Sequence, residues 1–246
     1  MTSLLGQKTE TRPSILELLH IQMRNTQDSM VQRTAEFFSS AYFPALQRAG
    51  AGPAGAFNSL IAQDSPFLLL LLQFSDLSAW DASRQKMMAD KEYAKARESY
   101  GSGPLPYLRY ERTLLRGFPS FPAIEVPEPL PGPNKVRTYE VRTYESNTPG
   151  SLARKVKMFD DGEIAIFRKV GMVPVFFGET LIGRNMPNLV YMVGFEDLAA
   201  RERIWSAFIS SPDWQKLRAQ PGLSDGEIVS NISNSLVRPT AFSAIR

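Results

Sequence analysis

The sequence predicts an α+β fold assembled from two copies of one β-α-β-β-α-β unit, and three observations support this. Residues of the two halves correspond at a near-constant spacing, a proline-dense stretch separates them, and each half alternates short apolar runs with helical stripes opened by capping residues. The spacing is 121 residues for Gly50 and Gly171, Pro53 and Pro174, Pro66 and Pro187, Leu68 and Leu189, Phe74 and Phe195, Asp76 and Asp197, Ala79 and Ala200, Lys95 and Lys216, and Arg97 and Arg218. It is 123 at the first strand (Glu17 and Glu140) and 122 at the last (Arg116 and Arg238). Shifts of one or two residues at loops are what a duplicated unit shows.

In chain order, Ile15–Met23 is a short apolar run read as the first strand. Asp28 or Ser29 caps a helix running to Ala49, with Pro44 expected to kink or break it and Gly50 supplying a left-handed end. Gly55–Ile61 and Pro66–Phe74 are strands around the turn at 62–65, and Asp76 opens a helix that buries Leu77, Trp80, Met87 and Met88. Asp90 interrupts that helix, Lys91–Ser99 continues as a further piece, and Tyr107–Phe118 is the fourth strand. The first repeat therefore covers residues 14–118. Pro119–Asn134 holds six prolines and reads as an extended, semi-rigid linker.

The second repeat, residues 135–246, runs through the same order. Lys135–Ser146 is a strand, and a turn at 148–151 leads into a helical stripe of Leu152, Val156, Phe159, Ile166 or Phe167 and Val170, closed by Gly171. Val173–Ile182 and Asn188–Phe195 are strands, Asp197–Ser210 and Asp213–Ala219 are helical, and Glu227–Val237 is the last strand. Each half is thus a ferredoxin-like βαββαβ unit, whose sheet carries helices on one face only. An uncovered second face exposes a large apolar patch, so the two sheets are expected to pack face to face as a barrel within one chain, or each with a second chain.

Composition narrows the function. The chain has 246 residues, 43% of them hydrophobic and 22% charged, with a formal charge of +3. Lys and Arg outnumber Asp and Glu by 13 to 11 over residues 1–118 and by 15 to 14 over 119–246, so neither half is a polycation and no nucleic-acid partner is expected. The absence of cysteine excludes disulfides, thiolate catalysis and Cys-based metal sites. With His20 as the sole histidine, a multi-histidine zinc site within one chain is excluded. Residues 1–14 lack the apolar core of a signal peptide, and the apolar run Phe67–Leu72 is far shorter than the roughly 20 residues of a spanning helix, so a cytoplasmic protein without membrane insertion is expected. An export or organellar signal removed from upstream stays open. No GxGxxG or Walker pattern occurs.

Four stretches carry a family resemblance: RTYEVRTYE (137–145), MFDDGEIAIFRKVGMVPVFFGETLIG (158–183), MPNLVYMVGFEDLAARERIWSAFISSPDWQKL (186–217) and EIVSNISNSLVRP (227–239). Through them residues 135–246 resemble the NIPSNAP domain, within the dimeric α/β-barrel superfamily. The first half is similar to the divergent partner repeat of two-repeat members, keeping AYFPALQRAGAGPAGAF (41–57) and FSDLSAW (74–80) but carrying LELLHIQ where the second half has YEVRTYE. The resemblance implies a binding or scaffold protein with no established general activity, and it transfers no catalytic residue, metal or cofactor. A homo-oligomer with a small organic ligand is the implied assembly. The alternative is a cofactor-independent or haem-dependent oxygenase or isomerase of the same barrel type.

Alternation places Glu140, Arg142 and Tyr144 on one face of their strand, expected to be the barrel interior if Val141 packs on the helices. There they would bind an acidic or polar ligand, or form an internal ion pair that fixes register, with Glu179, Tyr191 and Asn231 lining the same cavity. His20 aligns with Thr143 and is expected on the helix side, as a hydrogen-bonded buried histidine or a haem ligand. Lys155, Lys157, Arg168 and Lys169, interleaved with Asp160, Asp161 and Glu163, read as a mixed solvated helix face rather than an anion site. Trp80, Trp205 and Trp214 read as helix-packing residues.

Overall fold

The computed structural model describes residues 12–52 and 54–246. Pro53 and most of the N-terminal segment considered above for targeting lie outside the described residues. The first half runs β1 (Ile15–Gln22), α1 (Met30–Phe37), α2 (Phe43–Arg48), β2 (Ala54–Ile61), β3 (Phe67–Phe74), α3 (Leu77–Ala89), α4 (Lys91–Ser102) and β4 (Arg109–Gly117). The second runs β5 (Thr138–Glu145), α5 (Pro149–Met158), α6 (Ile164–Lys169), β6 (Val173–Ile182), β7 (Asn188–Phe195), α7 (Leu198–Ser210), α8 (Pro212–Arg218), the short α9 (Asp225–Ile228) and β8 (Asn231–Pro239). The strands form one closed barrel in the order β1-β3-β2-β8-β5-β7-β6-β4, with every pairing antiparallel.

The two four-stranded sheets are therefore not simply stacked face to face. They join edge to edge at two seams, β2 with β8 and β4 with β6, and each seam carries a register shift. Closure gives four edge strands hydrogen-bonded partners that a stacked pair would leave open. It also fills the lumen from all sides: Leu16, Leu18, Phe57, Leu71, Tyr139, Phe176, Met192 and Val237 make a single apolar cluster there. Ile124 of the proline-rich segment and Ile245 near the C-terminus join the same cluster. The proline-rich segment lies along the barrel, tied by the Glu125 amide to the Val175 carbonyl and by the Ser14 amide to the Pro122 carbonyl (2.9 and 2.8 Å).

Two further apolar clusters lie outside the barrel, between sheet and helices. One joins Leu19, Ile21, Leu68 and Leu70 to Met30, Phe38, Leu46 and Met87, and the other joins Tyr144, Leu189, Tyr191 and Val193 to Leu152, Phe159, Phe167 and Phe208. The helix starts follow the sequence. Asp76 and Asp197 accept from the amides of Ala79 and Ala200 at 2.8 and 2.6 Å, Asp90 caps α4 through the Tyr93 amide, and Thr148 caps α5 through the Ser151 amide. At α1 the cap bond comes from Thr26, whose hydroxyl accepts from the Met30 amide, because Ser29 is left-handed and makes none.

Three local expectations are corrected. The first helix of each half is interrupted by a π-helical turn: at Phe38–Tyr42, just ahead of Pro44, where a kink or break at the proline is expected, and at Phe159–Glu163, where an apolar stripe alone predicts continuity. Leu77 and Met88 are 47% and 51% exposed, leaving Met87 as the buried residue of that pair. The last strand starts at Asn231, since Ser224 and Glu227 form a capping box that turns residues 225–228 into α9.

Candidate functional site

Strand alternation does place Glu140, Arg142 and Tyr144 on one face, but that face looks at the helices. Tyr144 belongs to the helix-side cluster while Tyr139 fills the lumen, with Val141 packed against the lumen cluster. The interior placement predicted from sequence is thus reversed, and by the same parity His20 points into the barrel, its ring 4.3 Å from that of the lumen residue Phe67. The physical reason is that helices bury one sheet face and closure buries the other. β7 is buried along all eight residues, so no polar alternation marks which face is which.

Glu140 is the hub. It is fully buried, and its carboxylate accepts from Arg142 Nη1 at 2.7 Å, Arg201 Nε and Nη2 at 2.7 and 2.9 Å, Trp205 Nε1 at 2.8 Å and Asn234 Nδ2 at 2.9 Å. Burial pushes its carboxyl up, but the Arg201 bonds, the Arg142 charge and the Asn234 and Trp205 bonds outweigh that and hold it at about 2. Arg201 and Trp205 come from α7 one helical turn apart, and Asn234 faces Arg142 across the β5–β8 pairing. Arg142 spans the centre of the sheet face, 4.6 Å over the Trp205 ring and 5.4 Å over that of Tyr144. Burial works against its charge, yet Tyr191, Tyr144 and Glu140 raise its pKa above the ordinary arginine value, so it stays a cation. Its Nε is buried without a hydrogen-bond partner among the described residues.

Beside it, Tyr191 donates to Tyr144 at 2.9 Å, and burial followed by the neighbouring Tyr144 raises the Tyr191 phenol well above its usual range. Lys155 and Glu163, each 1% exposed, form an ion pair of 2.7 Å, with the Lys155 ammonium 4.6 Å from the Phe159 ring centre. Burial raises the Glu163 carboxyl despite the adjacent Lys155. Arg142, Tyr144, Lys155, Glu163, Arg201 and Trp205 line a cavity of about 430 Å³ between sheet and helices, together with Trp214, Arg218 and Ile232.

Of the six residues singled out from sequence, Glu140, Arg142, Tyr144 and Tyr191 come together here. Glu179 is exposed on β6, and Asn231 is exposed at the end of β8, where it donates to Glu145 at 2.9 Å. Lys157, Arg168 and Lys169 do pair on the surface, with Asp161, Glu125 and Asp213. Lys155 and Glu163 depart from the solvated-face expectation, and Trp205 is a hydrogen-bond donor as well as a packing residue. The available signal for Lys155 and Glu163 was their helical spacing with Leu152, Phe159 and Ile166.

The first half has a counterpart. Glu17, 1% exposed, accepts from Trp80 Nε1 at 3.1 Å and is paired with Arg112 and, at 3.9 Å, with Arg84. Above it lies a cavity of about 270 Å³. Five of its lining residues, Arg84, Met87, Met88, Tyr93 and Arg97, stand 121 positions before Trp205, Phe208, Ile209, Trp214 and Arg218, which line the second cavity.

The NIPSNAP family profile matches residues 139–244, which include every residue of the second cavity. The second half is a NIPSNAP domain. The profile match runs from within β5 past the end of β8, so the whole Glu140 hub is part of that domain. No curated protein matches the chain. Among solved structures, two proteins named "putative monooxygenase" share its fold. The one from Fusobacterium nucleatum has a TM-score of 0.59 at 8% identity over 93% of each chain. The one from Lactobacillus acidophilus has 0.59 at 9% identity, over 92% of this chain and 94% of its own. An anthrone oxidase-like protein has 0.52 at 12% identity over 92% of this chain and 91% of its own. At such identities the likeness concerns the fold, and it extends over both halves together with the NIPSNAP domain. No helix among the described residues is long and apolar enough to cross a membrane.

Proposed function

We propose that this NIPSNAP-domain protein binds a small polar anion in the cavity between the β5–β8 sheet and α5–α8. The observation that carries the proposal is Arg142: a half-buried arginine whose Nη1 is taken by Glu140, at the wall of a cavity of about 430 Å³. A carboxylate or phosphate oxygen in the cavity would add a charge-assisted bond to the guanidinium on that wall. The cavity falls in the size range of small-molecule sites, about 300–1,000 Å³. The lumen, by contrast, is lined by a cluster of buried apolar side chains.

On this proposal the two halves are tandem copies of one ferredoxin-like unit, residues 14–118 and 135–246, held by the linker 119–134. Closing the barrel within one chain satisfies the sheet faces that motivated pairing with a second chain. Self-association and a cytoplasmic location stay as proposals from the sequence.

A second reading is favoured by the full-length fold likeness to proteins named as monooxygenase and oxidase: a cofactor-independent oxygenase acting in the same cavity. A histidine-ligated haem does not fit, since the sole histidine faces the lumen from β1. The test is native mass spectrometry of protein purified from its own cells. A small anionic adduct present in the wild type and lost in Arg142→Gln supports binding, and a clean apo mass contradicts it. Ligand-dependent oxygen consumption would shift the assignment to the oxygenase.

A further inference from the structure

The cavity of the first half stands where the second cavity stands, yet its lining is of another kind. The buried ion pair is gone. Thr34 and Tyr42 occupy the positions of Lys155 and Glu163, and the Thr34 hydroxyl bonds the Tyr100 hydroxyl at 2.7 Å. The Phe37 and Tyr100 rings stack at 4.3 Å and 6°, Tyr42 meets Tyr93 edge-on at 6.0 Å, and Tyr107 and Tyr110 close one side at 5.8 Å. Burial raises the phenols of Tyr42, Tyr93 and Tyr110, so they are neutral at pH 7. Arg84, Arg97 and Arg112 reach the cavity, and no carboxylate lines it among the described residues. Glu17 lies beneath the arginines and balances one of the three charges.

An apolar, aromatic-walled space with an uncompensated positive charge selects a ligand with a flat hydrocarbon body and one anionic group. The volume, about 270 Å³, is at the lower edge of sites for drug-sized ligands (about 300 Å³ upward) and suits one or two fused rings. We infer that the first half holds a second, separate binding site, for a small aromatic monocarboxylate, with Arg84 and Arg112 holding the carboxylate and the tyrosine cluster taking the rings. This inference is independent of what the second cavity binds.

The test is isothermal titration of the full chain with 2-naphthoate and with its neutral isostere 2-naphthamide. One naphthoate per chain is expected at a Kd below ~1 mM, with the amide at least about tenfold weaker. Arg84→Gln leaves Glu17 its Arg112 and Trp80 partners and is expected to weaken naphthoate by about tenfold or more while changing amide binding little. Gly101 lines the same cavity, and a Cβ added there meets nothing within 4 Å, so Gly101→Leu is expected to occlude the space without disturbing the fold and to abolish binding of both probes. Arg142→Gln is expected to leave naphthoate binding intact. The inference is overturned if the wild type shows no saturable binding, if naphthoate and naphthamide bind alike, if neither Arg84→Gln nor Gly101→Leu affects naphthoate, or if Arg142→Gln removes it.

Discussion

The cavity of the first half and that of the second occupy the same place in the fold and are furnished differently. Both rest on a fully buried glutamate of the strand that opens the half, Glu17 or Glu140, and both glutamates are met by a tryptophan and an arginine from the long helix. The order of those two is exchanged: Trp80 then Arg84 in one half, Arg201 then Trp205 in the other. Because the two positions lie four residues apart, one helical turn, either order brings an indole N–H and a guanidinium to the same carboxylate. The hub is preserved, and what differs is the roof: Tyr42 and Tyr93 over one, Lys155, Glu163 and Trp214 over the other. One anchor thus stands beneath two differently furnished roofs.

The largest expected effect bears on that roof. Lys155→Met leaves the Glu163 carboxylate uncompensated in a fully buried site and is expected to cost about 3–5 kcal/mol, whereas Lys155→Met with Glu163→Leu is expected to be neutral or stabilising, as an apolar pair replaces an ionic one. Urea unfolding of the single and double variants measures both. If the double variant loses as much as the single, the pair matters for more than charge balance, and the two roofs are not interchangeable.

The hub itself answers to pH. Glu140 goes from an ordinary value of 4.5 to about 2 in the folded protein, so its contribution is fully present above pH 4.5 and lost as pH falls from 4.5 toward 2. That shift corresponds to about 3 kcal/mol. Glu163 moves the opposite way: its raised pKa means that raising the pH through its titration costs stability. Unfolding free energy measured across this range should therefore fall on acidification in the wild type, and Glu140→Gln should flatten that fall. A profile unchanged by the substitution would remove Glu140 as the hub.

The smallest effect concerns what the halves share. Asp76→Ala and Asp197→Ala each remove one cap bond at the same place and are expected to cost about 1 kcal/mol apiece, with melting temperatures showing equal losses. Unequal losses would mean that the two helix starts carry different loads despite their common geometry.

These caps were also the most readable features of the chain. Asp76, Asp90 and Asp197 announce helix starts by residue type, and Gly50 and Gly171 adopt the positive φ that their positions require (85° and 93°). The sequence of strands and helices along each half is legible from its short apolar runs and capping residues. The faces did not, because Phe67–Leu72 and Asn188–Phe195 are buried on both sides and carry no polar mark of direction. The π-helical turn at Phe159–Glu163 escapes because an apolar stripe keeps its spacing across it, while Pro44 marks the break in the first half. Lys155 and Glu163 escaped because charge on a helix ordinarily means solvent. Their helical spacing with Leu152, Phe159 and Ile166 is the sequence signal that these two charges share the enclosed face.

On the proposed function, Arg142 and its cavity hold a small anion separately from anything bound in the first half. Native mass spectrometry of the wild type, Arg142→Gln and Arg84→Gln, each purified from its own cells, tests it directly. The account predicts an anionic adduct on the wild type, none on Arg142→Gln and an undiminished one on Arg84→Gln. A bare wild-type mass, or an adduct that survives Arg142→Gln and vanishes with Arg84→Gln, would contradict it.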